Sequence, residues 1–143
     1  MKAFFDTSIL IAAFYVHHQF HQPSIDLIAR SKKNDACCGA HSLAEIYASL
    51  TGRTGSERVS GAEAMLFLGD VLDRLTVVSL DYQEYFKVLE ASSALGIAGG
   101  GIYDALLGHC ALKAKAQTIY TWNTKDFVRL GPTIAGRVKT PAA

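Results

Sequence analysis

The stretch Lys2-Ala3-Phe4-Phe5-Asp6-Thr7-Ser8-Ile9-Leu10-Ile11-Ala12-Ala13 reads as a short apolar strand ending in an acid, then a Thr-Ser turn that opens an apolar helix. One carboxylate, Asp6, therefore stands at the carboxyl end of the first strand, where open α/β sheets place their chemistry. The pattern recurs downstream. Pro23 fits the first turn of a second helix running to about Lys33, Asn34-Asp35 is a turn, and Ala36 to Ala40 is a small-residue strand. Ser42-Leu43-Ala44-Glu45 has capping-box spacing, so a helix is expected there with Leu43, Ile46, Tyr47 and Leu50 on one stripe and Glu45 opposite, in the first turn.

Thr51 to Val59 is the most loop-like stretch, rich in Gly, Thr and Arg. Ser60-Gly61-Ala62-Glu63 repeats the cap signature and starts a helix to about Arg74. Leu75 to Leu80 is a β-branched strand, and Asp81 with Glu84 caps a helix ending near Leu95-Gly96. After the glycine-rich link Ile97 to Gly101, a helix from Ile102 to about Ala116 is apolar on several sides and so is expected to be buried. Thr118 to Thr121 is the next strand, and a weak last one is expected near Arg137 to Thr140. Strands alternating with helices imply a three-layer α/β/α arrangement with a central, mainly parallel sheet flanked by helices.

The 143 residues suit one domain with a sizeable core. Half of them are apolar and 19% are charged, which excludes a disordered chain. The longest apolar run, Ile9 to Val16, is far too short for a bilayer, and no basic region plus cleavage site marks a signal peptide. A cytoplasmic protein with no membrane partner is expected. Cys37, Cys38 and Cys110 lack metal-ligand spacing and read as buried free thiols in a reducing compartment. The net charge of +1 is too small for a protein that holds nucleic acid mainly by neutralising phosphates, so any such substrate must be held by a local site.

Asp6, Glu45, Asp104, Asn123 and Asp126 each stand just after a strand or in the first turn of a helix. In a parallel sheet such positions come out on one rim. Convergent carboxylates repel unless a cation neutralises them, and an all-oxygen set selects Mg²⁺ or Mn²⁺ over Zn²⁺. Two such ions about 4 Å apart serve in-line phosphoryl displacement, so the set predicts a phosphodiesterase. Each acid also has a plainer reading. Asp6 can cap the helix at Thr7, Glu45 can complete a capping box, Asn123 can be a turn residue and Asp126 a solvated one. Asp104 is harder to dismiss, because a charge on a helix apolar nearly all round needs a partner. His17, His18 and His21 lack an accompanying acid and read as solvated, with a substrate groove as the alternative. His109, on an apolar stripe, reads as a core histidine.

Together Phe5-Asp6-Thr7-Ser8, Ser42-Leu43-Ala44-Glu45, Gly101-Ile102-Tyr103-Asp104-Ala105 and Thr121-Trp122-Asn123-Thr124-Lys125-Asp126-Phe127 resemble the four motif blocks of PIN domains, and within them the VapC-type toxins of bacterial toxin–antitoxin pairs. The resemblance spans essentially the whole chain. It implies a Mg²⁺- or Mn²⁺-dependent endoribonuclease that cuts single-stranded or looped RNA, is usually a homodimer and is held inactive by a cognate antitoxin. On that footing Asp6, Glu45 and Asp104 match the metal-binding acids, and Thr7 and Ser8 the polar positions that shape the site. Asn123 stands where an Asp is common. An amide oxygen ligates a hard cation without bringing charge, and Asp126 is the candidate to compensate. Arg53, Arg58, Lys125 and Arg129 are candidates to grip phosphates, and Leu66, Phe67 and Val71 fit either an interface or the core.

Two other readings compete. One is a PIN-like RNA- or protein-binding module with catalysis weakened at Asn123. The other is a hydrolase with an aspartyl nucleophile, which usually carries a second Asp two residues after the first, where this chain has Ser8. The glycines at 99 to 101 lack dinucleotide-site spacing.

Overall fold

The structure, a computed structural model, describes residues 1–142. Alternation of side chains along the strands builds the core from both faces of the sheet. In β1 (Ala3–Phe5) and β2 (Ala36–Gly39), Ala3, Phe5, Ala36 and Cys38 point into one apolar cluster, while Phe4 and Cys37 point into the other. With β3 (Thr76–Val78), β4 (Thr118–Tyr120) and β5 (Val138–Lys139), these strands form a five-stranded sheet in the order β3-β2-β1-β4-β5. Every pairing is parallel.

The first cluster is covered by α1 (Thr7–Phe14), α2 (His21–Ala29), α3 (Ala40–Gly52) and α4 (Gly61–Arg74). The second is covered by α5 (Tyr82–Ala94), α6 (Gly101–Lys113), α7 (Thr124–Val128) and α8 (Pro132–Ala135). The outcome is the three-layer α/β/α fold that the alternating pattern implies. The strand order reverses between β1 and β4, so the crevice beyond their carboxyl ends is the expected ligand site.

Local side-chain caps explain three of the helix starts. Asp6 is the N-cap of α1 and accepts from Ser8 N. Ser60 caps α4 by accepting from Glu63 N, and Asp81 and Glu84 form a complete capping box on α5. The helix α6 is buried along most of its length, with Gly101, Ala105, Leu106, Leu107, Gly108, Cys110 and Ala111 inside. It reaches the sheet because β2 ends in Gly39, where an added Cβ would stand 2.6 Å from Leu107 Cδ2. Cys37, Cys38 and Cys110 are free and buried, as expected; burial pushes the thiols of Cys37 and Cys38 up to about 12.

Ser42 and Glu45 do not form a capping box. The helix begins at Ala40 with Gly39 as its N-cap and no side-chain cap bond. Ser42 is instead buried inside the helix, and Glu45 lies in the second turn, not the first. The predicted helical stripe is also narrower, since Tyr47 is exposed while Ile46 and Leu50 are buried. The second helix stops at Ala29, short of Lys33, and the short helix α8 has no counterpart in the sequence reading.

Candidate functional site

The carboxyl ends of β1 and β4 are tied together by hydroxyl groups. Phe5 pairs with Tyr120, so the next residues, Asp6 and Thr121, meet at the rim. Thr121, fully buried, donates to Asp6 Oδ2 at 2.7 Å, and Ser8 Oγ donates to the same oxygen at 2.8 Å. Both hydroxyls also accept from the chain leaving β4: Ser8 Oγ from Trp122 N at 3.0 Å, and Thr121 Oγ1 from Asn123 N at 2.9 Å. Across the crevice, the Thr7 hydroxyl bonds both Ser42 Oγ at 2.8 Å and Glu45 Oε1 at 2.9 Å. Thr7 and Ser8 thus each position one acid, Glu45 and Asp6 respectively.

These groups open onto a pocket of about 450 Å³ whose walls include Asp6, Thr7, Ser8, Glu45, Asp104 and Asn123. Three acids read from distant parts of the sequence therefore share one cavity. Asn123 occupies the N-cap position of α7 without a side-chain cap bond. Asp126 sits in the first turn of α7 and is not part of the pocket wall. It acts at a distance, as one of the negative charges that press on Asp104.

The acids are held where ionisation is disfavoured. Burial raises the Asp6 pKa against the lowering effect of its bonds from Thr121 and Ser8. Burial also raises Glu45, opposed by the Thr7 bond and nearby His41 and reinforced by Asp6. Asp104 is pushed up to about 7, first by burial and then by Asp6, Asp126 and Glu45, with Arg129 pulling the other way. The only ion pair to any of the three among the described residues is Arg129 with Asp104 Oδ2, at 4.0 Å and partly exposed.

The donor set fits a hard divalent cation in its chemistry: three carboxylates and an amide oxygen in one pocket, each acid raised by burial, and Glu45 and Asp104 further by neighbouring acids. Among the described residues no group of three or more His, Cys, Asp and Glu is drawn together as a metal cluster.

Of the other sequence candidates, only His18 lines the acid pocket. Arg53 lies over the Tyr15 ring at 4.3 Å and pairs with Glu57 at 3.0 Å, and Arg58, Lys125 and Arg129 are absent from the pocket wall. Of the clustered histidines, His18 does line the pocket, while His21 bonds Ala12 O. His109 is half-buried on α6 with its pKa lowered by burial, and lines a separate cavity. Val71 belongs to the core, whereas Leu66 is 74% exposed. Thr121 was missed by the sequence reading. Its one signal is its place immediately after the strand that pairs with β1.

The PIN domain family profile matches residues 3–131. Ribonuclease VapC40 of Mycobacterium tuberculosis is 27% identical over 114 residues, covering 80% of this chain and 81% of its own length. Two solved structures are similar at 19% identity over 99% of this chain and the whole of theirs. They are Mycobacterium tuberculosis VapC20, described as a sarcin-ricin loop cleaving toxin, with a TM-score of 0.76, and VapBC2 from Rickettsia felis bound to a promoter DNA fragment, with 0.68. A parallel sheet in this order, acids gathered over its reversal point, and a profile match running from β1 past α7 lead to one assignment: the chain belongs to the PIN domain family.

Proposed function

We propose that this protein is a Mg²⁺- or Mn²⁺-dependent endoribonuclease, the toxin component of a toxin–antitoxin pair. The observation that carries the reading is the gathering of Asp6, Glu45 and Asp104 in one pocket, with Asp104 pushed up to about 7 by burial and by the other acids. Asp6 and Asp104 would hold the principal ion, Glu45 would ligate it or orient the attacking water, and Asn123 would complete the shell through its amide oxygen. A cation held there would supply water activation and charge neutralisation at the phosphoryl group. The chain's own part is orientation: Ser8 and Thr121 hold Asp6, and Thr7 holds Glu45.

RNA as the substrate class is supported by the likeness to a ribonuclease and to a toxin described as cleaving the sarcin-ricin loop. A cognate antitoxin is supported by the likeness to VapBC2, and we place its contact over the acidic rim. No described helix is long and apolar enough to cross a membrane, and a cytoplasmic homodimer completes the proposal. The test is cleavage of a pool of structured RNAs by purified protein with Mg²⁺, Mn²⁺ or EDTA, with Asp6→Asn alongside. Cuts that need metal and vanish in a folded Asp6→Asn protein are the expected result; full activity in that variant overturns the assignment.

A further inference from the structure

One wall of the acid pocket is made of aromatic rings that the proposed chemistry does not use. Phe20, which precedes α2, lies almost parallel to Trp122, with ring centroids 4.0 Å apart and planes 10° from coplanar orientation. The His18 ring stands on from Phe20 at 5.9 Å, tilted by 45°. The stack is anchored from behind: Trp122 Nε1 donates to Oγ of the fully buried Ser24 at 2.9 Å, and Trp122 N donates to Ser8 Oγ. That same hydroxyl holds Asp6, so the rings and the first acid are positioned by one network.

The two rings also border a second cleft. Gln19, Phe20 and Trp122 line both the acid pocket and a neighbouring cleft of about 740 Å³, which Gln22, Pro23, Asp26 and Thr140 help to form. Both rings remain partly exposed. With the indole N–H already satisfied by Ser24 and the two rings stacked on each other, what the pair offers at the junction is its partly exposed outer aromatic surface, in a cleft that Gln19, Gln22 and Asp26 also line. A phosphodiester placed at the acids carries a base on each side, and an unpaired base stacks on aromatic rings whatever its identity.

Resting on the ribonuclease reading, we propose that the Phe20–Trp122 pair seats one unpaired nucleobase of the RNA, adjacent to the scissile phosphate, with its edge toward Gln19, Gln22 and Asp26.

Trp122 is the chain's single tryptophan, so its emission reports on the site directly. Wild-type protein in EDTA is titrated with an oligonucleotide that it cuts in Mg²⁺, and with a series carrying one abasic position each. The intact oligonucleotide is expected to change the emission. One abasic position, next to the cut, is expected to abolish that change and to weaken binding between about 5- and 150-fold, the range of base–aromatic stacking. Phe20→Leu, which keeps an apolar side chain in place, is expected to weaken binding of the intact oligonucleotide and to leave the abasic one unaffected. If every abasic oligonucleotide binds and alters the emission as the intact one does while the wild type still cuts RNA, the rings only pin the chain after β4 to α2, and the inference is overturned with the nuclease reading intact. A wild type that neither binds nor cuts RNA in any metal removes both.

Discussion

Neutralising Asp104 should make the metal-free protein more stable as it abolishes the function. The pKa of Asp104 is raised from 3.8 to about 7 by burial and by Asp6, Asp126 and Glu45. Below pH 3.8 the group is protonated in both folded and unfolded chains and has no effect. Between there and about 7 the unfolded chain ionises first, so the folded state binds more protons and stability falls as pH rises. Above 7 the full penalty persists. Three pKa units correspond to a ceiling of about 4 kcal/mol, but a quarter of the side chain is exposed and Arg129 stands nearby. Solvent screening brings the expected penalty to about 1–2 kcal/mol. Asp104→Asn keeps the shape and removes the charge, so its stability relative to wild type should be near zero at pH 4 and grow to that value by pH 8, read from urea unfolding in EDTA. A difference that stays flat across this range, or an Asn variant less stable than wild type at pH 8, would refute the electrostatic reading of the pocket.

Two further substitutions test the scaffold. Thr121→Val keeps the volume but removes the 2.7 Å bond to Asp6 and the acceptor for Asn123 N; it should lower stability by about 1–3 kcal/mol in urea unfolding and cleavage by roughly 10- to 100-fold, with Thr121→Ser recovering both. Gly39→Ala sets a Cβ 2.6 Å from the side chain of Leu107, which is itself fully buried. Overpacking should cost about 1–3 kcal/mol in thermal unfolding, and pairing it with Leu107→Ala should be less damaging than the two single effects summed.

What the sequence discloses depends on how local the cause is. Asp6 as N-cap, Ser60 with Glu63 and Asp81 with Glu84 are legible because both partners lie within one helical turn. The convergence of Asp6, Glu45 and Asp104 is legible too, since parallel strands bring their carboxyl ends to one rim. The same reasoning misreads Ser42 and Glu45, which have capping-box spacing yet bond Thr7 on another helix. No local pattern distinguishes a cap from a tertiary contact. Thr121 requires the β1–β4 register, and the Phe20–Trp122 stack requires knowing that α2 and the end of β4 meet. The choice between Asn123 and Asp126 likewise rests on where the turn into α7 points, and only Asn123 lines the pocket.

The hydroxyl bonds explain how a pocket of mutually repelling acids keeps its shape. Ser8 and Thr121 both bond Asp6 through Oδ2, and Thr7 bonds Glu45 through Oε1. The side-chain hydroxyls therefore grip each acid on one oxygen, with Oδ1 of Asp6 and Oε2 of Glu45 left without a side-chain hydroxyl partner. A carboxylate gripped on one oxygen keeps its rotamer while its second oxygen is available to a ligand, which is the preorganisation that a binding site needs. Asp104 has no such hydroxyl, only the distant Arg129, and it is pushed up to about 7. The site thus combines two fixed acids with one loosely held acid poised near neutrality. If the proposed cation binds, it should offset the repulsion on Asp104 from Asp6, Asp126 and Glu45, so most of the electrostatic penalty in the pocket should be relieved at that residue.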